Sequence, residues 1–120
     1  MSEIQNPKEY DLEERTLEFS KCVIRFCRGL CKNVINEEIG KQLVRAATSV
    51  GANYIEANES LSKKDFLTRV KICRKEAKES GYWLKLVETD NLGVKSEQGL
   101  LLKESIELMK IFGSILTKSQ

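Results

Sequence analysis

The sequence predicts an all-α protein, an antiparallel up-and-down four-helix bundle. Three observations lead to this fold class. Apolar residues recur at helical spacing in four segments of the 120-residue chain. Helix breakers are scarce, because the chain holds one proline and seven glycines. The loops between the segments are short, which favours antiparallel neighbours. A chain of this length is expected to form a single domain over residues 1–120.

Each predicted helix has a plausible start. Asp11 can cap the first helix, Asn36 the second and Ser62 the third, because these side chains accept hydrogen bonds from free backbone N–H groups. The fourth helix follows a turn at residues 90–93. The apolar periodicity and these caps together predict helices at residues 12–31, 37–58, 63–88 and 96–117.

The composition indicates a cytoplasmic protein. No stretch of about 18 uncharged apolar residues is present, so no transmembrane helix is expected. Residues 1–10 are polar and lack the apolar core of a signal peptide. The four cysteines are therefore interpreted as reduced core residues. Cys27 and Cys31 lie four residues apart and could share a metal ion, but no further ligand cluster supports that alternative.

The chain contains no histidine, which excludes several classes of function. Ser-His-Asp and Cys-His catalysis both need an imidazole base. Four-helix bundles that hold two iron ions use Glu-x-x-His motifs. Glycine-rich phosphate loops, zinc-ligand spacings and dinucleotide fingerprints are also missing from the sequence. We therefore predict a protein that is not an enzyme and that carries no cofactor or metal.

Basic residues are concentrated in the third predicted helix. Residues 63–89 hold eight Lys or Arg and four Asp or Glu, whereas the whole chain has a net charge of +2. Such a row can neutralise successive phosphates of a nucleic acid. An ordinary solvated helix face is the alternative. Tyr82 on this face and Trp83 beside it could stack on bases, although Trp83 also suits packing. The candidate nucleic-acid-binding residues are Lys64, Lys71, Lys75, Lys78 and Lys85.

Polar residues also occur in seams that otherwise look buried: Arg45, Asn53, Glu56, Glu76 and Glu79. Glu76 and Glu79 share a helix face and could act as an acid/base pair or hold a divalent cation. No nucleophile, phosphate loop or histidine supports these interpretations. A network of ion pairs, within the bundle or between subunits, is the preferred interpretation. The small residues at positions 46–52 allow close helix packing, again within one subunit or between subunits.

Three blocks of the sequence resemble a known family. Residues 10–19 (YDLEERTLEF) resemble the opening motif of the four-helix bundle proteins encoded in intervening sequences of bacterial 23S ribosomal RNA genes. Residues 42–57 (QLVRAATSVGANYIEA) are similar to that family's central motif, and KDF, KEAKES and YWL between residues 64 and 84 to its third-helix motif. The blocks occur in the family's order over about residues 10–87, whereas the fourth helix matches only in general character.

The resemblance implies an up-down four-helix bundle without enzymatic activity. The family is similar to the accessory variability determinants of diversity-generating retroelements, which form barrel-like homopentamers, bind nucleic acid and contact a reverse transcriptase. A homopentamer that binds RNA or DNA is therefore expected. Seven positions of this chain match residues that the family pattern specifies, for folding, assembly or ligand binding: Arg15, Arg45, Asn53, Glu56, Glu76, Glu79 and Trp83.

Two functions from different classes follow from these observations. The first is a homo-oligomeric accessory protein that binds nucleic acid through the lysine face of the third helix. The second is a scaffold whose oligomer docks a protein partner without touching nucleic acid. Neither function involves a membrane.

Overall fold

The computed structural model describes residues 12–119, and these residues form four helices and no strand. Their order along the chain is α1 (Leu12–Arg28), α2 (Val34–Asn58), α3 (Lys63–Leu86) and α4 (Leu92–Lys118). The predicted all-helical class with four helices is therefore confirmed. None of the described helices combines the length and the hydrophobicity that a membrane span needs.

Several helix ends differ from the predicted ones. Helix α1 ends at Arg28, three residues early, because the N–H of Gly29 bonds to the carbonyls of both Arg25 and Phe26 and closes the last turn. Helix α3 ends at Leu86 rather than at residue 88. Helices α2 and α4 begin three and four residues before the predicted starts at 37 and 96.

The caps explain where three of the helices begin. Asn33, not Asn36, caps α2, and its Oδ1 accepts the N–H of Asn36 at 2.8 Å. The predicted cap at Ser62 is confirmed, since its hydroxyl oxygen accepts the N–H of Asp65. Asn91 caps α4 in the same way. The proposed cap at Asp11 lies outside the described residues.

Side-chain contacts show that neighbouring helices run antiparallel. The amide of Asn58 near the end of α2 donates to Glu13 at the start of α1. Ser20 in the middle of α1 donates to the carbonyl of Ala47 in the middle of α2. At the other end of the bundle, Gln98 near the start of α4 donates to the carbonyls of Leu84 and Val87 at the end of α3.

The core is apolar and contains two close helix contacts. Its largest buried side chains come from all four helices: Phe26, Leu43, Leu84, Leu108 and Phe112. A Cβ added to Gly51 would lie 3.1 Å from the Thr16 hydroxyl of α1, and one added to Gly81 would lie 3.0 Å from the Ser105 hydroxyl of α4. Glycine therefore allows close approach within the subunit.

All four cysteines have free thiols. Cys73 is fully buried and donates to the carbonyl of Val50, and burial raises its pKa to about 12. Burial also raises the pKa of Cys27 to about 11. Cys31 is exposed and lies beyond the end of α1, so it no longer shares a helix with Cys27. Within residues 12–119, no three potential ligands are grouped to hold a metal ion.

Candidate nucleic-acid interface

The five candidate lysines form one exposed row along α3. Lys64, Lys71, Lys75, Lys78 and Lys85 are all exposed. A rotation of about 100° per residue places them within an arc of about 80°. The row runs for 21 residues, which corresponds to about 31 Å at about 1.5 Å per residue. We call these five residues the lysine row.

The lysine row carries a surplus of positive charge, although Lys75 helps to lower the pKa of the nearby Glu79 carboxylate. Helix α3 holds eight basic residues and three acidic ones. Two of the three acids, Glu76 and Glu79, form ion pairs with Arg45 of α2. Among residues 12–119, no carboxylate pairs with a member of the lysine row. Because like charges repel along a helix face, the row is available to an anionic ligand.

A polar network joins α2 to α3 beside the lysine row. The Arg45 guanidinium donates to Glu76 at 3.3 Å and to Glu79. The indole Nε1 of Trp83 donates to the same Glu79 carboxylate at 3.0 Å. The pKa of Glu79 is lowered, first by the hydrogen bond from Trp83 and then by Arg45, against the opposing effect of burial. Both hydrogen bonds favour the ionised carboxylate, so Glu79 is a charged anchor for both partners.

Tyr82 lies within the lysine row. Its side chain is 57% exposed, and helical spacing places it next to Lys78 and Lys85. The rings of Tyr82 and Trp83 meet edge to face, with centroids 5.2 Å apart. The anchored indole therefore limits the positions that the Tyr82 ring can occupy.

The other residues of the family pattern lie in two places. Asn53 donates to Ser49 and accepts a bond from Arg69 of α3 at 2.9 Å, so it belongs to the α2–α3 seam with Arg45. Glu56 is exposed on α2, and no side-chain partner is found for it in residues 12–119. Arg15 lies apart from this seam and makes a two-bond ion pair with Glu104 of α4, at 2.7 and 2.8 Å.

The sequence did not reveal two of these side-chain partners, Glu104 for Arg15 and Arg69 for Asn53. Glu104 is 89 residues from Arg15, and no local pattern links the two positions. Arg69 contributes to the surplus of basic residues in α3, but its guanidinium donates to Asn53 of α2. Helical spacing places Arg69 on the side of α3 opposite the lysine row, so the sequence pattern could have excluded it from the row.

A shallow apolar groove lies between α1 and α4. Leu17 and Leu100 on its walls are 53% and 66% exposed, and the carboxylates of Glu14 and Glu18 line the same groove. The groove contains Cys22, whose pKa is raised first by burial and then by a hydrogen bond to Glu18. A thiol whose pKa is raised is a weak nucleophile.

Comparison with known proteins identifies the family. The model of the 23S rRNA-intervening sequence proteins matches residues 8–114. The chain belongs to this family. One similar solved structure is described as a protein with unknown function from the S23 ribosomal protein family of Bacteroides thetaiotaomicron. It is 29% identical, covers 87% of this chain and 96% of its own, and superposes with a TM-score of 0.71. No curated protein matches. The 23S rRNA-intervening sequence family was the one expected from the three sequence blocks.

Proposed function

We propose that this protein is a non-enzymatic, homo-oligomeric accessory protein that binds RNA or DNA through the lysine row of α3. The observation that carries the proposal is the row of five exposed lysines, none of which forms a salt bridge in the described residues. Each lysine that neutralises a phosphate releases condensed counterions, and this release supplies a large part of the binding free energy. The exposed ammonium groups can reach a backbone without any rearrangement of the fold.

The homo-oligomer, with five subunits as the proposed number, is supported by exposed apolar side chains. Leu17, Ile55 and Leu100 are 53%, 49% and 66% exposed, and each is on α1, α2 or α4 rather than on the lysine row. Apolar residues on these helices can meet other subunits while α3 faces a ligand. Light scattering on a sizing column tests this part. A monomer at tens of micromolar protein would contradict it.

The alternative function is a scaffold that docks a protein partner. The groove between α1 and α4 favours it, because its apolar walls suit a partner segment with an apolar face. This alternative predicts no measurable nucleic-acid binding at low salt. It also predicts that substitutions in the groove, not in the lysine row, abolish its interaction.

The lysine row is tested with a triple variant in which Lys71, Lys75 and Lys78 become Gln. Glutamine keeps the helix propensity and removes the charge. We expect weaker binding of a structured RNA, and a plot of log affinity against log salt that is flatter by about two to three, since each phosphate contact contributes about 0.7 to 0.9. Fluorescence anisotropy across a salt series measures both quantities.

A second triple variant provides the matched control. Lys95, Lys103 and Lys110 are exposed on α4, and their change to Gln removes the same charge from a neighbouring helix. The control is expected to change affinity little and to leave the salt slope near that of the wild type. Equal effects of the two triple variants would refute a site on α3. No binding of RNA or DNA at low salt would refute the proposal altogether.

A further inference from the structure

We infer that the lysine row is built for unpaired nucleotides, with Tyr82 as the residue on which a base stacks and Trp83 as the residue that positions Tyr82. This inference rests on the proposed function and adds the class of nucleic acid. It depends on the two aromatic rings and not on the lysines alone.

Tyr82 has an unusual environment for an aromatic side chain. Of the large apolar side chains that are exposed in residues 12–119, it is the only aromatic one. Every other described Phe, Tyr or Trp is at least partly buried. The Tyr82 ring therefore presents a flat apolar face to solvent among the lysines, and this face is suited to a ligand that is flat and apolar itself. A nucleobase is such a ligand, and its phosphates would meet Lys78 and Lys85 on either side.

Trp83 reduces the entropic cost of stacking. Its indole is held by Glu79, which is held in turn by Arg45 of the neighbouring helix. The edge-to-face contact then restricts Tyr82 before any ligand binds. A side chain that is already ordered loses less freedom on binding, which strengthens the complex.

The chemistry of the row favours single strands over duplexes. In a duplex each base is stacked on its neighbours and its flat face is closed to Tyr82, whereas a single strand can turn a base outward. Helix α3 contains no Asn or Gln to read base edges, and its two arginines lie outside the arc of the lysine row. Arg69 donates to Asn53 of α2, and the Arg74 side chain lies near Gly113 of α4. We therefore expect binding that tolerates changes of base sequence.

The test compares binding of one oligonucleotide, as a single strand and as a duplex with its complement, to the wild type and to four variants of Tyr82 and Trp83. We expect Tyr82→Leu to weaken single-strand binding by about 5- to 150-fold, the range for loss of one stacked base. The same variant should bind the duplex like the wild type, and Tyr82→Phe should bind both ligands within about 2-fold of it. Because Tyr82 is exposed, circular dichroism should show unchanged folding.

Trp83→Leu separates positioning from direct contact. It should weaken single-strand binding in the wild-type background, yet have little effect when Tyr82 is already Leu, because its contribution passes through that ring. A merely structural role would produce the same loss in both backgrounds. Trp83 is the only tryptophan of the chain, so its fluorescence should also change when a base stacks on Tyr82.

The outcomes distinguish this inference from the proposed function. If the lysine triple variant loses binding while Tyr82→Leu has no effect on single strands, the row binds nucleic acid but the stacking inference is wrong. Tighter binding of the duplex than of the single strand would also overturn it. If neither form of the oligonucleotide binds at low salt, both the inference and the proposed function fail.

Discussion

The inner and outer faces of α3 differ in burial and in charge. On the inner face, Val70, Cys73, Ala77 and Leu84 have no exposed surface. On the outer face, the lysine row is exposed along about 31 Å and forms no salt bridge in the described chain. One helix thus separates the residues that hold the bundle together from those available to a ligand. Substitutions on the two faces should therefore have opposite consequences.

The largest effect is expected on the inner face. Leu84→Ala removes a fully buried side chain from the core and leaves a cavity, which should lower the free energy of unfolding by about 2–5 kcal/mol. Urea unfolding followed by circular dichroism measures this loss. Affinity for nucleic acid should stay within about 2-fold of the wild type under conditions where the variant is folded. A large loss of affinity without a loss of stability would contradict the division between the faces.

The reactivity of the Cys73 thiol independently measures how often the inner face of α3 opens to solvent. Burial raises the pKa of Cys73 to about 12, whereas Cys31 is exposed. A thiol reagent should therefore modify Cys31 first and Cys73 only when the bundle opens. Leu84→Ala should speed the slow reaction, while the lysine triple variant should leave it unchanged.

A smaller effect is expected where α3 approaches α4. A Cβ on Gly81 would lie 3.0 Å from the hydroxyl oxygen of Ser105, which is buried and bonded to the carbonyl of Leu102. Gly81→Ala should therefore destabilise the protein by about 1 kcal/mol, despite the better helix propensity of alanine.

Removal of the Ser105 hydroxyl should reverse the sign of the stability change that Gly81→Ala causes. In a Ser105→Ala background, Gly81→Ala should stabilise the protein by about 0.5–1 kcal/mol, the usual gain for this change inside a helix. Thermal unfolding of the four proteins of this cycle provides the comparison. The same sign in both backgrounds would show that the close contact at Ser105 does not set the requirement for glycine.

The sequence predicted the two faces of α3 because both follow from local periodicity. Lysines and apolar residues on one helix reveal their faces whatever surrounds them. The helix starts were harder to predict. Val34 and Ile35 in the first turn of α2 are 71% and 66% exposed, so they fall outside the apolar pattern, and Asn36 looked like the cap instead of Asn33.

Contacts between residues far apart in the sequence could not be predicted, because local periodicity does not show which helices pack together. The pair of Arg15 and Glu104 joins residues 89 positions apart, and only the packing of α1 against α4 brings them together. The network of Arg45, Glu76, Glu79 and Trp83 was predictable only as a set of polar residues in a seam. Its order, with Glu79 between a guanidinium and an indole, depends on side-chain geometry.

The smallest effect concerns Glu79, which lies between the two faces. Its pKa in the folded protein is lower than the ordinary value of 4.5, first because Trp83 donates to the carboxylate and then because Arg45 does. Protonation therefore favours the unfolded chain. The stabilisation from Glu79 is fully present above the unfolded pKa, and it is lost as the pH falls through the lower, folded pKa.

We expect the stability of the wild type to fall more steeply between pH 5 and pH 3 (roughly the range around the carboxylate pKa) than that of Glu79→Gln. Trp83→Phe, which removes the main cause of the shift, should flatten the profile as well. Since the Glu79 side chain is 29% exposed, solvent screens the interaction and the difference should be small. Urea unfolding at several pH values measures it, and parallel profiles for all three proteins would mean that Glu79 is not the anchor of Trp83. The support for Tyr82 would then have to come from elsewhere on the outer face.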